Sequence, residues 1–421
     1  MPHARRTNPV TPIFIIDRDR VERAIMDLGA IGACAGTGVS RTTFSPEWVA
    51  AQELVGQWCR DAGLAVRMDA VGNLWGRAEG SAGGKAIATG SHIDSQTPGG
   101  RYDGALGVIA GAIAARAVLE QAGPPKRPIE IVSLCEEEGS RFPSAGFWGS
   151  RGIIGTIAPE DPERIVGYDG VTIGEAMRAV GLDPARIPDA ARDDLEVFLE
   201  LHIEQGPMLE QAGTPVGVVT GITGIRELRV VVHGRADHAG ARPIDLRQDP
   251  MDAAAAMIHA VIGVAKEMGR PAVTTVGRIL VEPNFPNIVP ERVEFTIDSR
   301  NPDPEARRQQ YARQDALLRE IAEAAGLEMT TEVFGALDPC PCDPEVVRVL
   351  EEAARAQNVP VMSMPSGAVH DSQQLAARSR IGMIFVQSKD GRSHTPAEFS
   401  AVEHCAQGIE VLAGALYRLA Y

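Results

Sequence analysis

The chain has 421 residues, of which 44% are hydrophobic and 23% are charged, which is the composition of a globular protein. Its formal net charge is −15. An acidic surface argues against nucleic acid or an anionic membrane as the main partner. The apolar run IFII near the N-terminus is too short for a signal peptide, and no run approaches the ~20 residues of a membrane span. We therefore expect a cytoplasmic protein.

Three predicted strands in the first half of the chain end in polar residues. A helix predicted over 46–63 and two short strands precede KAIATG, a buried strand that enters GSHIDSQTPGGRYDG; a helix over 104–120 follows. RPIEIVSLCEEEG and LEVFLELHIEQG repeat this plan, each with an apolar strand before acids or a histidine. Open α/β sheets bind ligands at the carboxyl ends of their strands, so the pattern predicts a functional site there.

The segment 216–335 has a different pattern. GIRELRVVVH is predicted to be an exposed strand entering a loop, and a helix, the alternating strand RVEFTIDSR and an amphipathic helix follow it. This order predicts a small α+β domain. A strand at MIFVQS and a helix over about 401–419 then restore the α/β pattern. We therefore expect an α/β main domain of residues 1–215 and 336–421, with 216–335 inserted as a smaller domain.

The polar residues at these strand ends are of types that bind metal ions. Glu136, Glu137 and Glu138 directly follow an apolar strand, where adjacent carboxylates repel unless a positive charge offsets them; alone, the run could be a solvated charged face. Further candidates lie at strand ends or in turns: His92, Asp94, Asp103, His202 and His394. Imidazole nitrogens and carboxylate oxygens are natural ligands of zinc and related metals. A pair of divalent metals with a bridging carboxylate would explain the whole set.

Taken together, these motifs resemble the dinuclear-metal amidohydrolases of the M20 type, specifically their hydantoinase/carbamoylase branch. The matching pieces occur in the family's order over about residues 88 to 400: GSHIDSQTPGGRYDG, EEEGSRF, LELHIEQGP, GRADHAG, PNIVPERVEFTIDSR, SGAVHDSQ and GRSHTPAE. Each piece is weak alone, but the ordered set is specific. The resemblance implies an α/β, mixed-sheet, zinc-peptidase-like catalytic domain and an inserted α+β domain that serves as lid and dimerisation domain.

The resemblance also implies roles for individual residues. Five would bind two divalent ions, zinc or else manganese, cobalt or nickel: His92 and His202 the first ion, Glu138 and His394 the second, and Asp103 both. Asp94 would orient the imidazole of His92. Glu137 would act as the general base, whereas Glu136 is expected to be solvated.

Further residues are implied to contact the substrate. His238 would reach the active site of the partner subunit in a homodimer and stabilise the tetrahedral oxyanion. Asn287 and Arg300 would hold the substrate's carboxylate, because a guanidinium binds carboxylate bidentately. A surface ion pair between Arg300 and Asp298 is the simpler alternative. Gln205 would contact the substrate near the metals.

The implied reaction is hydrolysis of a linear ureido or amide C–N bond by metal-activated water, with Glu137 as base. An N-carbamoyl-L-amino acid would give an amino acid, ammonia and carbon dioxide. β-Ureidopropionase, allantoate amidohydrolase and N-acyl-amino-acid or dipeptide hydrolase are alternatives; His202 favours the carbamoylase branch, because peptidases of this superfamily usually carry Asp there. Arg242, unusual after HAG, could contact a second anionic group of the substrate or face water. A metal-binding dimer without turnover is the alternative from another class.

Overall fold

The computed structural model of the protein describes residues 11–421. Its α-helices are α1 (Arg18–Ala30), α2 (Pro46–Asp61), α3 (Ala105–Ala122), α4 (Trp148–Ile154), α5 (Asp161–Arg164), α6 (Ile173–Ala179), α7 (Met208–Ala212), α8 (Pro250–Met268), α9 (Pro304–Ala325), α10 (Pro344–Ala356), α11 (Asp371–Leu375) and α12 (Val402–Ala420). Its β-strands are β1 (Ala65–Met68), β2 (Leu74–Ala78), β3 (Ala86–His92), β4 (Ile129–Leu134), β5 (Leu195–Ile203), β6 (Val216–Ile222), β7 (Gly224–His233), β8 (Asp237–His238), β9 (Val273–Glu282), β10 (Ile288–Val289), β11 (Arg292–Asn301), β12 (Glu328–Leu337), β13 (Cys340–Pro341), β14 (Val361–Ser366) and β15 (Arg380–Val386).

The chain forms two compact units, each with a hydrophobic core. The first takes the chain up to Thr220 together with Cys342–Met364 and His370–Tyr421, and the second contains Gly221–Pro341 and Pro365–Val369. The borders expected from the sequence fall a few residues earlier. The reason is that β6 begins in the first unit, and that β12 continues to Leu337.

The first unit is built on a mixed sheet with the strand order β1-β2-β4-β3-β5-β15-β6-β13, and β14 pairs with β6. The strands β4, β3, β5 and β15 run parallel to their neighbours in this series, whereas β1, β2, β6 and β13 pair antiparallel. Every residue of β3 and β4 is buried, as expected for parallel strands that are covered on both faces. The predicted α/β class with a mixed sheet is confirmed.

The helix α3 lies in the core of the first unit, against β3, β4, β5 and α12. Small residues allow this close approach, since a Cβ on Gly107 would collide with the carbonyl oxygen of Leu201. Among residues 11–421, α3 alone is long and apolar enough to cross a membrane. However, 61% of it is buried within the structure, as in the core helix of a folded domain.

The second unit consists of an antiparallel sheet with the order β12-β7-β11-β9, the helices α8 and α9, and a two-stranded ribbon of β8 and β10. The expectation that β7 is exposed is wrong, because β7 pairs with both β11 and β12 and alternate side chains are buried. The strands β9 and β12 were not predicted. Most of their side chains are exposed, so their sequences lack the alternation of a half-buried strand.

Candidate metal and active site

Three adjacent parallel strands bring the candidate residues of the first unit together at their carboxyl ends. The strand β3 ends at His92, β4 is followed by the acidic run 136–138, and β5 carries His202 as its penultimate residue. Long-range contacts then add Asp103, from the turn before α3, and His394, from the segment before α12. The carboxyl ends of the strands thus collect imidazoles and carboxylates, as an open α/β sheet allows.

The Asp103 carboxylate lies between two sets of potential ligands. Its Oδ1 is 3.2 Å from Nε2 of His202 and 3.8 Å from Nε2 of His92. Its Oδ2 is 3.3 Å from Nε2 of His394, and that nitrogen is 3.5 Å from Oε2 of Glu138. Each set, His92–Asp103–His202 and Asp103–Glu138–His394, offers three ligand atoms within 4.8 Å of one another. Asp103 is the member that the two sets share.

The donor atoms fit divalent metal ions. Two ligands of a tetrahedral zinc ion, each about 2.0–2.1 Å from the metal, lie roughly 3.3 Å apart, close to the separations around Asp103. Oε1 of Glu138 is buried without a hydrogen-bond partner among the described residues, whereas Oε2 accepts a bond of 2.8 Å from the Gln96 amide. Buried carboxylate oxygens normally have a partner, so an incoming cation would satisfy this oxygen.

Two imidazoles are oriented by backbone carbonyls so that Nε2 faces Asp103. Nδ1 of His202 lies 2.9 Å from the carbonyl oxygen of Ile203, and Nδ1 of His92 lies 3.0 Å from that of Asp94. The Asp94 carboxylate is farther from His92, at 3.7 Å, and its Oδ2 accepts the backbone N–H of Glu138 at 3.1 Å. When Nδ1 carries the only ring proton, Nε2 has the lone pair that can bind a metal. Asp94 therefore contacts His92 mainly through its backbone oxygen.

The site concentrates negative charge, and its pKa values shift accordingly. Burial would raise the pKa of Asp103, but hydrogen bonds from His202 and His394 outweigh it and hold this pKa well below its usual value. Burial lowers the pKa of His202, yet Asp103 brings the net value to about 9. The hydrogen bond that His394 donates to Asp103 raises the pKa of His394 to about 9. Burial and the charge of Asp103 raise the pKa of Glu138. Excess carboxylate of this kind favours binding of cations.

Glu137 and Glu136 differ sharply in their surroundings. Burial, followed by the charge of Glu138, raises the pKa of Glu137 well above its usual value. Its Oε2 is 3.7 Å from Nε2 of His92, and within residues 11–421 no group donates a hydrogen bond to it. The expectation that Glu136 is solvated is wrong: it is fully buried, it accepts the Phe142 N–H at 2.8 Å, and burial raises its pKa to about 8.

Several contacts of the site were not predicted from the sequence. Gln205 was expected to meet the substrate, and here its amide donates to Oδ2 of Asp103 at 2.9 Å. The hydroxyl of Ser393 also lies 2.6 Å from this oxygen. His370, in SGAVHDSQ, is buried with its ring edge-on to that of His202 at a centroid distance of 4.7 Å. Ser393 and His370 lie within quoted motifs, but their residue types alone did not indicate these partners.

In the second unit, the β8–β10 ribbon brings His238 and Asn287 together. Ile288 pairs with His238, and the N–H of Ala239 donates to the Asn287 carbonyl oxygen at 3.0 Å. Nδ1 of His238 accepts the backbone N–H groups of residues 240 and 241 at 3.0 and 3.2 Å. The proton of a neutral His238 is therefore on Nε2, and this exposed side chain can donate a hydrogen bond.

The two arginines of interest in the second unit have local partners. Arg300 forms a bidentate pair with Asp298, with both N···O distances at 2.9 Å, so the simpler alternative is present. Arg242 donates from Nε and Nη2 to the carbonyl oxygen of Leu246, at 2.9 and 2.6 Å, and lies 3.5 Å from Asp237. The guanidinium of Arg242 thus closes the loop after His238.

Comparison with known proteins agrees with the resemblance seen in the motifs. Residues 88–418 match peptidase family M20/M25/M40. The N-carbamoyl-L-amino acid amidohydrolase of Geobacillus stearothermophilus is 42% identical over 409 residues, covering 96% of this chain and 99% of the relative. The allantoate amidohydrolase of Bacillus subtilis (strain 168) is 37% identical, covering 94% and 96%.

A solved structure gives the same result. The amidase of the hydantoinase/carbamoylase family from Burkholderia multivorans superposes with a TM-score of 0.88 at 33% identity, covering 97% of this chain and 98% of that one. Together these matches confirm the resemblance. The chain therefore belongs to peptidase family M20/M25/M40, a family of metal-dependent hydrolases, and within it to the hydantoinase/carbamoylase amidohydrolases.

Proposed function

We propose that this protein hydrolyses the ureido C–N bond of an N-carbamoyl-L-amino acid, releasing the amino acid, ammonia and carbon dioxide. The observation that carries the proposal is the position of Asp103 between two sets of ligand atoms. The name of the relative with 42% identity supports the carbamoyl substrate. Allantoate, also a ureido acid, is the second candidate, because the relative with 37% identity is named for its hydrolysis.

Five residues would hold two divalent ions: His92 and His202 one ion, Glu138 and His394 the other, and Asp103 both. Zinc, manganese, cobalt and nickel all suit this mixture of imidazole and carboxylate. Such ions supply Lewis acidity, which makes water a better nucleophile at neutral pH and polarises the substrate carbonyl. The backbone contacts at Nδ1 of His92 and His202 fix the direction of both rings.

Glu137 is the proposed general base. Its carboxylate lies beside the ligand set, free of hydrogen-bond donors from residues 11–421, so it can accept the proton of the attacking water. The same carboxyl group can then deliver this proton to the leaving nitrogen, which would otherwise depart as an unstable anion.

The second unit would supply the remaining contacts to the substrate. We assign to the Nε2–H of His238 the stabilisation of the oxyanion, in the active site of the partner subunit of a homodimer. Arg300 and Asn287 would bind the carboxylate of the substrate, with Asp298 giving up one of its two bonds to the guanidinium. Gln205 would turn from Asp103 to the substrate when metal ions occupy the carboxylate oxygens.

The same proposal gives the inserted segment 216–335 two tasks, as lid and as dimerisation domain, and leaves catalysis to 1–215 and 336–421. Edge strands of its sheet expose apolar side chains: Val273, Ile279 and Leu280 on β9, and Val333 and Phe334 on β12. Exposed edge strands with apolar side chains are sites at which a second chain can pair.

A hydrolysis assay on protein loaded with Zn²⁺, Mn²⁺, Co²⁺ or Ni²⁺ tests the proposal. Ammonia and amine would be measured with N-carbamoyl-L- and N-carbamoyl-D-amino acids, β-ureidopropionate, allantoate, N-acyl amino acids and dipeptides. We expect turnover of N-carbamoyl-L-amino acids, abolished by a chelator and restored by the metal. Turnover of allantoate alone would select the second candidate, and turnover of acyl compounds or dipeptides alone would contradict both.

A further inference from the structure

Glu398 is a buried carboxylate in the segment that precedes α12. It is 4% exposed, and among residues 11–421 no Lys or Arg side chain forms an ion pair with it. Its Oε1 instead accepts the backbone N–H groups of Tyr102 and Asp103, at 2.9 and 3.0 Å. Glu398 therefore binds the turn that presents the carboxylate shared by the two ligand sets, although it is 295 residues away in sequence.

A second path joins Glu398 to the Asp103 side chain. The Ser393 hydroxyl lies 2.9 Å from Oε2 of Glu398 and 2.6 Å from Oδ2 of Asp103. Both the backbone and the carboxylate of Asp103 are thus in contact with the segment 393–398. His394, the ligand of the second set, belongs to the same segment and has a φ of +55°, a conformation that needs support from its surroundings.

The turn itself is shaped to receive Glu398. A Cβ on Gly100 would collide with the carboxylate of Glu398, with its nearest contact at Oε1. The absence of a side chain at position 100 therefore lets Oε1 reach the two N–H groups. This close approach gives a physical reason for the second glycine of PGGRYDG, which the metal ligands alone do not explain.

We propose that Glu398 is a positioning residue that sets the place of the Asp103 carboxylate and fixes His394 relative to it, so that both metal ions bind. This inference rests on the proposed function, since it requires metal binding at Asp103. Loss of Glu398 frees the turn at Tyr102 and removes one partner of Ser393. The affinity for both ions should fall together, because both ligand sets share Asp103. Partners that orient metal ligands typically contribute 10- to 100-fold in affinity.

Metal titration of the full-length apo protein, by calorimetry with Zn²⁺ or Mn²⁺ alone, tests this proposal. For Glu398→Ala we expect about 10- to 100-fold weaker binding of both ions. Glu398→Gln keeps an oxygen for the two N–H groups and should retain most of the affinity. Gly100→Ala pushes the intact carboxylate away and should weaken binding as Glu398→Ala does.

Asp69→Ala is the matched control for a purely structural effect. Asp69 is also a buried acid whose Oδ1 accepts two backbone N–H groups, of Val71 and Asn73, in the turn between β1 and β2. This variant should lose thermal stability but keep the metal affinity of the wild type. Wild-type affinity in both Glu398→Ala and Gly100→Ala would overturn the positioning role alone. A wild-type protein that binds no ion would overturn the proposed function with it.

Discussion

Three consecutive glutamates after β4 have three different environments. Glu136 accepts a backbone N–H in the core, Glu138 faces His394 and the amide of Gln96, and Glu137 alone lacks a hydrogen-bond donor within residues 11–421. A positive φ of 54° at Glu136 contributes to this separation, because it turns the chain immediately after the strand. The sequence EEE shows none of these differences, so the assignment of one acid to catalysis needs the fold.

The variant Glu137→Gln tests the role of the base. An amide cannot accept the proton of water, so kcat should fall by about 10²- to 10⁴-fold, the usual contribution of a positioned base. The metal content should stay at the wild-type value, because Glu137 is outside both ligand sets. Steady-state kinetics and metal analysis of the same sample measure the two effects.

Glu136→Gln is the matched control, because it changes the neighbouring buried carboxyl group while leaving both ligand sets intact. It should keep kcat within the range of the wild type. If Glu137→Gln retained more than about a tenth of the wild-type kcat, the proton would have another acceptor and the assignment would be contradicted.

Residue types and positions at strand ends indicated the imidazoles and carboxylates that surround Asp103, but not which atoms make the contacts. The motif SHID suggests that the carboxylate of Asp94 orients His92, yet the carbonyl oxygen is the nearer group. Contacts such as those of Ser393 and Glu398 with the Asp103 turn depend on how distant segments pack, and a single sequence carries no measure of that.

At the level of elements, the start of α3 determines how close the helix comes to the site. Gly104 caps this helix with φ at +60°, a conformation that favours glycine. Its N–H donates to Nε2 of His202 at 3.1 Å, and a Cβ at this position would collide with the imidazole of His92. The glycine of RYDG therefore lets a core helix begin directly beneath two candidate ligands.

Gly104→Ala should damage both folding and the metal site. Forcing alanine into this backbone conformation costs about 1–3 kcal/mol, and the added methyl group displaces His92. We expect a lower free energy of unfolding in denaturant titrations together with weaker metal binding. The control is Gly123→Ala at the other end of α3, where φ is +73° and no atom lies within 4 Å of the added Cβ.

Gly123→Ala should lose stability through the backbone alone and keep the metal affinity of the wild type. Equal metal affinity in the two variants would show that contact with His92 is unimportant. Both variants replace glycine by alanine at a positive φ, but only Gly104→Ala also brings a methyl group against His92. The comparison therefore separates the effect of backbone strain from the effect of the collision with the ligand.

Strands with a clear pattern of buried side chains were predictable, and the two edge strands of the second sheet were not. β3, β4, β5 and β11 were found because apolar runs or strict alternation mark buried strands. β9 and β12 flank the second sheet with mostly exposed side chains, and each contains a glycine, Gly277 or Gly335, that interrupts the pattern. Their pairing with β11 and β7 is set by the tertiary fold rather than by local sequence.

On the scale of the whole molecule, the inserted segment is visible in the sequence as a change of pattern. The sequence does not show which other residues belong to the same structural unit. Pro365–Val369 belongs to the second unit although it lies far beyond the predicted end of the insertion. Within it, the carbonyl oxygen of Gly367 lies 3.4 Å from Nη1 of Arg300. The motif SGAVHDSQ therefore crosses a unit border, with His370 returning to the first unit.

The proposed homodimer can be tested by mixing two inactive variants, because each active site would need residues from both subunits. If His238 acts in the active site of the partner subunit, each active site combines Glu137 of one subunit with His238 of the other. Glu137→Gln and His238→Ala then remove different contributions to the same site. In a mixed dimer, the subunit with intact Glu137 would receive an intact His238 from the other subunit. Random exchange in a twofold dimer gives half mixed dimers with one working site each, so about a quarter of the wild-type activity should return.

Each variant is purified alone, shown to bind metal as the wild type does, and assayed before and after exchange of subunits. The oligomeric state of the mixture is followed by light scattering, and His238→Ala mixed with wild-type protein serves as the reference for exchange. Activity that stays at the sum of the two separate variants, in samples that have exchanged, would place His238 in its own subunit's site. Recovery would instead tie catalysis to dimerisation, because dilution below the dimer's dissociation constant would then remove activity while leaving the metal ligands of each chain unchanged.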